Sequence, residues 1–102
     1  MRVVLVTAPS RKSAEALASG LIEERLAACV TRLGPGTSYY RWKGRPCRDR
    51  EYQLVIKTKA AALPALIRWV KRRHEAQTPE IIALPVVGGA PDYLAWLEDS
   101  LP

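Results

Sequence analysis

His74 is the only imidazole in a chain of 102 residues, and two carboxylates, Glu75 and Glu80, follow it closely. Imidazole and carboxylate are ligands that copper(II), zinc and related divalent cations accept. A closed site takes about four donors. One histidine with one carboxylate, Glu75 or Glu80, falls short of that within a single chain. Pooling between subunits raises the count, so a weak, shared contact with copper(II) or another divalent cation is the metal chemistry to expect. The competing role for His74 is that of a cation at a helix C-terminus or a hydrogen-bonded residue of a cleft. Cys47 lies among Arg45, Arg48 and Arg50 in a polar, basic turn. Nearby cations favour thiolate, which makes Cys47 the candidate reactive thiol. Cys29 follows Leu26-Ala27-Ala28 and reads as a small core hydrophobe. Two cysteines make no disulfide framework, and both are expected as reduced thiols. There is no P-loop, no dinucleotide fingerprint and no nucleophile–histidine signature, so an enzyme is not expected and no cofactor is obligatory.

These residues need a scaffold, and the apolar pattern supplies one. Val3-Val4-Leu5-Val6 is a continuous run that suits a strand covered on both faces. Ser10 is placed to cap a helix whose apolar stripe is Ala14, Leu17, Ala18, Leu21 and Ile22, running to about Ala27. Gly20 inside it costs roughly 1 kcal/mol relative to alanine unless close packing requires it. A second strand starts at Cys29, is bent or bulged at Gly34-Pro35-Gly36, and continues to Trp42. A turn at Lys43-Gly44-Arg45-Pro46 leads to a return strand over residues 51–58. Alternation there puts Tyr52, Leu54 and Ile56 on one face and Gln53, Val55 and Lys57 on the other. Ala61, Leu63, Leu66, Ile67 and Val70 mark a second helix with Pro64 in its first turn and a cationic end at Lys71-Arg72-Arg73-His74. A strand over residues 80–86, fenced by Pro79 and Pro85, belongs at a sheet edge. A last helix opens at Pro91-Asp92.

The order βαββαβ plus a helix predicts a ferredoxin-like α+β sandwich, a single domain over residues 1–102 with a four-stranded antiparallel sheet and helices on one face. The hairpin arms of about 12 residues span roughly 40 Å, against roughly 20 Å for the first strand. Half the hairpin therefore overhangs, and it carries Tyr39, Tyr40, Trp42 and Tyr52. An exposed aromatic ribbon invites another chain, so a homo-oligomer is expected.

The net charge of +6 clusters at residues 41–50 and 68–73. Solvated arginine accounts for such a balance, as does an anionic partner. The topology is also that of RNA-recognition modules, but residues 51–56 lack the aromatic pattern of that family and the chain has no phenylalanine. No specific nucleic acid is expected. No apolar run reaches the ~20 residues of a membrane span. The first residues enter a strand pattern without a leader-like series, and a cytoplasmic location is expected.

Val3-Val4-Leu5-Val6-Thr7-Ala8-Pro9, Glu23-Glu24-Arg25-Leu26-Ala27-Ala28-Cys29-Val30, Thr37-Ser38-Tyr39-Tyr40-Arg41-Trp42-Lys43-Gly44, Ile56-Lys57-Thr58, the segment Gln77-Thr78-Pro79-Glu80-Ile81-Ile82-Ala83-Leu84-Pro85-Val86, and Tyr93-Leu94-Ala95-Trp96-Leu97 occur in this order over nearly the whole chain. In this the chain resembles the CutA divalent-cation tolerance family. The resemblance implies a trimer of ferredoxin-like subunits whose hairpins wrap their neighbours, and a link to metal tolerance, copper above all. It also implies an inter-subunit cleft around Cys29, Tyr40, Trp42, Lys57 and Glu80. Each has a plainer alternative: core packing for Cys29, interface packing for Tyr40 and Trp42, and a salt bridge for Lys57, with Glu80 as a partner. The chain departs from the family where members with a copper site carry a cysteine late in the first strand; here Val6 stands. It departs again at Arg73-His74-Glu75-Ala76, where His-Pro-Tyr is frequent, and at the hairpin tip, which is basic here and often acidic in relatives. A second resemblance is to the PII regulators, trimeric signalling proteins that share the architecture and bind small anionic ligands in their subunit clefts.

Overall fold

The computed structural model describes residues 1–102. Seven regular elements follow one another: β1 (Arg2–Ala8), α1 (Arg11–Glu23), β2 (Cys29–Trp42), β3 (Arg45–Thr58), α2 (Leu63–Arg73), β4 (Ile81–Pro85) and α3 (Pro91–Asp99). The strands form one antiparallel sheet in the order β2-β3-β1-β4. This is the ferredoxin-like arrangement, and it puts the proline-fenced β4 at an edge.

Side-chain alternation divides the sheet into two faces. Val4, Val6 and Ala8 of β1 and Tyr52, Leu54 and Ile56 of β3 point to the helices and are buried with Ala14, Leu17 and Leu21 of α1 and Leu66, Trp69 and Val70 of α2. Leu21, Leu54 and Leu66 are fully buried, each contributing about 1.5–3 kcal/mol by leaving water. Truncating Leu54 to alanine costs about 2–5 kcal/mol. The other face carries no helix. Val3, Leu5 and Val55 are half-buried there, and Leu33, Ile82 and Leu84 are exposed.

Helix α1 starts as the sequence indicates. Ser10 Oγ accepts from the Ser13 amide at 3.1 Å, and Ser13 reciprocates toward the Ser10 amide. It ends earlier than the expected Ala27. Arg25 takes a left-handed conformation (φ 57), the Leu26 amide donates to the Leu21 carbonyl at 2.9 Å, and the Arg25 amide donates to Ile22 at 3.1 Å. That is a Schellman end with arginine in the place usually held by glycine.

The hairpin is longer and more regular than expected. β2 and β3 have 14 residues each. They join through Lys43 and Gly44 alone, both at positive φ (50 and 76), which is the two-residue turn whose twist matches the strands. The bulge falls between Leu33 and Gly36, with a cis Gly34-Pro35 bond. Two expectations are corrected here. β3 begins at Arg45, so Cys47 is a strand residue opposite Tyr40 and not part of a turn. Tyr52 pairs with Ala8 and is buried, so it belongs to the core and not to the overhang. The overhang carries Tyr39, Tyr40 and Trp42, all exposed, and draws the molecule out to 44 × 25 × 22 Å.

Candidate functional site: a cleft at the root of the hairpin

Between α2 and β4 the chain must cross from the helix layer to the far edge of the sheet. Residues 74–80 make that crossing past the end of β1, and Gln53 and His74 hold them there. His74 is the C-cap of α2. Its Nε2 lies 2.6 Å from the Thr7 carbonyl, and its Nδ1 accepts from the Ala76 amide at 3.0 Å. This pattern requires the tautomer that carries its proton on Nε2. Gln53 Nε2 donates to the Val6 carbonyl at 3.1 Å and to Glu80 Oε2 at 3.4 Å.

The crossing segment and the hairpin root enclose a cleft of about 780 Å³, bordered by Tyr40, Trp42, Asp49, Glu51, His74 and Glu80 among others. Asp49 and Glu51 come from β3, and Glu75 joins them from the crossing segment. Four carboxylates thus meet on one cleft of a chain whose net charge is +6. The Tyr40 hydroxyl donates to Asp49. That bond, with the negative charge of Asp49 behind it, pushes the Tyr40 hydroxyl up to about 12 from its usual 10.0.

Of the residues picked out in sequence, His74, Glu80, Tyr40 and Trp42 share this cleft, with Cys47 across the ladder from Tyr40. Cys29 and Lys57 do not. They face each other as cross-strand partners on the helix-free side of the sheet, both half-buried, so Cys29 is not a core residue. Lys57 makes no salt bridge with Glu80, whose partner is Gln53. No three His, Cys, Asp or Glu side chains of one protomer converge closely enough to share a metal ion. Gln53 and Asp49 were missed in sequence. Gln53 had a signal, as a polar residue between apolar neighbours on the open face. Asp49 had none, because its role depends on the register that puts it diagonal to Tyr40.

A profile of the CutA1 divalent ion tolerance protein family matches residues 2–100. The chain belongs to this family. The divalent-cation tolerance protein CutA of Yersinia pestis (strain Pestoides F) is 46% identical over 99 residues, covering 97% of this chain and 83% of that one. Among solved structures, the CutA1 protein of Thermus thermophilus superposes with a TM-score of 0.96 at 45% identity, each chain covered in full. CutA1 from Oryza sativa gives 0.95 at 44% identity over 99% of this chain and 93% of that one. The CutA protein of Archaeoglobus fulgidus, described as periplasmic, gives 0.93 at 33% identity over 98% of both chains. No helix of this chain is long and apolar enough to cross a membrane.

Proposed function

We propose that the protein is a non-enzymatic homotrimer serving divalent-cation tolerance, which holds copper(II) or another divalent cation weakly in the cleft at the hairpin root. The observation that carries this reading is the gathering of Asp49, Glu51, Glu75, Glu80 and His74 on one cleft of a basic chain. The relatives are named for tolerance and not for a reaction, which agrees with a binding role. Carboxylate oxygen and imidazole nitrogen suit copper(II), which heads the divalent affinity order. The affinity is weak for a structural reason. Both nitrogens of His74 already hold protein hydrogen bonds, so a cation at this ring costs one of them.

Assembly is supported by the helix-free face. Val3, Leu5, Val55, Ile82 and Leu84 make it apolar, and the hairpin overhang extends it by Tyr40 and Trp42. Faces of this kind are covered by other chains. A trimer brings a neighbour's groups to the open side of the cleft and raises the donor count above what one protomer supplies. We place the protein in the cytoplasm, where unpaired thiols such as Cys29 and Cys47 persist.

Calorimetric titration with copper(II) tests the reading. The expected result is weak binding by the assembled protein, reduced in His74→Ala and in Glu80→Gln. A tight signal that survives both substitutions moves the site elsewhere, and no signal in the wild type overturns direct binding.

A further inference from the structure

The two faces of the overhanging hairpin differ in charge, and the difference follows from register. On one face lie the pairs Ser38–Asp49, Tyr40–Cys47 and Trp42–Arg45, together with Glu51. On the other lie Thr37–Arg50, Tyr39–Arg48 and Arg41–Pro46. Both hairpin carboxylates fall on the first face, which borders the acidic cleft. The second face has three guanidinium groups, no acid, and Tyr39 in the middle. Tyr39 is 74% exposed although it also borders the cleft. Arg41, Arg48 and Arg50 are exposed, and none takes part in an ion pair.

The same alternation fixes where this second face points. Along β3, Gln53, Val55 and Lys57 share their side with Asp49 and Glu51, while Tyr52, Leu54 and Ile56 share theirs with Arg48 and Arg50. The arginine face is therefore continuous with the helix-covered side of the sheet, away from the apolar face. An occupant of the apolar face therefore lies on the opposite side of the ribbon from it. The helix layer on that side has two more exposed cations. Lys12 in the first turn of α1 and Arg73 at the end of α2 border one groove together with Glu75, and Arg73 lies over the Trp69 ring.

We propose that this face binds single-stranded nucleic acid without sequence preference. Alternate residues on a strand are about 7 Å apart, so Arg48 and Arg50 form a row of guanidinium groups suited to successive phosphates. Tyr39, directly across from Arg48, offers a ring on which a base stacks. Cations that follow the backbone, combined with an exposed aromatic platform, are the means by which such strands are held. An acidic protein or an anionic membrane would use the charge and leave the ring without a role.

The test is fluorescence anisotropy of labelled oligo(dT) and oligo(U) on the full-length protein, with poly-glutamate and vesicles containing phosphatidylserine as competing probes. Both oligonucleotides should bind. Three neutralised phosphates per protomer predict about a 20-fold loss of affinity between about 50 and 200 mM salt. Tyr39→Ala should cost about tenfold. Arg48→Gln with Arg50→Gln should abolish most binding, whereas Arg25→Gln with Arg68→Gln, which removes the same charge from elsewhere, should not. Circular dichroism and sedimentation of each variant confirm fold and assembly. Equal losses in the two double variants would show net charge alone and overturn the proposal. So would poly-glutamate or vesicles binding as tightly with no effect of Tyr39→Ala, which would assign the face to an acidic protein or a membrane. Absence of oligonucleotide binding at low salt overturns it outright.

Discussion

Gly20 of α1 lies directly beneath the ring of Trp69 on α2. A Cβ built on Gly20 would come within 2.5 Å of Trp69 Cη2 and 2.6 Å of Cζ2. The indole is buried, so making room for a Cβ requires it to repack. The helix tolerates a poor helix former here because the two helices need the room. Gly20→Ala is therefore expected to destabilise the fold. Its propensity gain of about 1 kcal/mol is outweighed by an overpacking cost of about 1–3 kcal/mol. Urea denaturation should show a lower midpoint with an unchanged slope. A stabilised variant would mean that the helices separate without cost.

Tyr40 and Asp49 predict an alkaline transition in the hairpin. The hydroxyl titrates at about 12 in the folded chain and at 10.0 when free. A group raised on folding contributes stability that is fully present below pH 10.0 and is lost as pH rises through about 12. Spectrophotometric titration should find one tyrosine ionising after the others. Thermal stability should hold up to pH 10.0 and then decline, and Tyr40→Phe should remove that extra decline.

His74→Ala should weaken the fold whether or not metal is present. The ring joins the crossing segment to β1 through Thr7 and satisfies the Ala76 amide. Losing two such bonds costs about 1–3 kcal/mol. Hydrogen exchange in metal-free buffer should show faster exchange at Ala76 and through residues 75–80, with the α1 core unchanged. Unaltered exchange would reduce the ring to a bystander.

Cys29 and Cys47 should both lose reactivity on assembly. They lie on the same side of the ladder, Cys29 beside Lys57 on the helix-free face and Cys47 opposite Tyr40 on its extension along the overhang, where another copy would cover them. Brief alkylation followed by mass spectrometry should label both slowly at high protein concentration and faster once the assembly is dissociated. Labelling that does not change with concentration would show that this face is not an interface.

Removing residues 37–50 and rejoining the strands should leave the sheet intact and abolish the proposed assembly. The β1–β3 ladder ends at the Ala8–Tyr52 pair, so the deletion touches nothing in the core. Sedimentation equilibrium should give a trimer mass for the full chain and a monomer mass for the deletion.

Element order, sheet topology and the inward set Tyr52, Leu54 and Ile56 were all legible in the sequence, because apolar periodicity reports which side chains leave water. The places where it misled have physical causes. Leu26 and Ala27 continue the apolar rhythm of α1, but a left-handed arginine ends the helix before them, and periodicity carries no sign of φ. Arg45 to Arg50 have no apolar alternation because neither side of the overhang meets a core, so a strand was hidden in what looked like a basic turn. In the cleft, His74 stood out as the lone imidazole. Its partners did not, since a backbone carbonyl at Thr7 and an amide at Ala76 have no signature in residue type.

The length of the hairpin has a consequence for how stability should be stated at all. Its inner half, from Tyr52 to Thr58, rests on a core within the same chain. Its outer half meets no core of its own, and in the assembly proposed above the burial of Tyr40 and Trp42 comes from a second molecule. The first contribution is intrinsic and the second is governed by mass action. If the protein assembles as proposed, a single unfolding free energy for one protomer is undefined. The melting temperature should rise with the logarithm of concentration, and dilution alone should loosen the outer hairpin while the sheet beneath it remains folded.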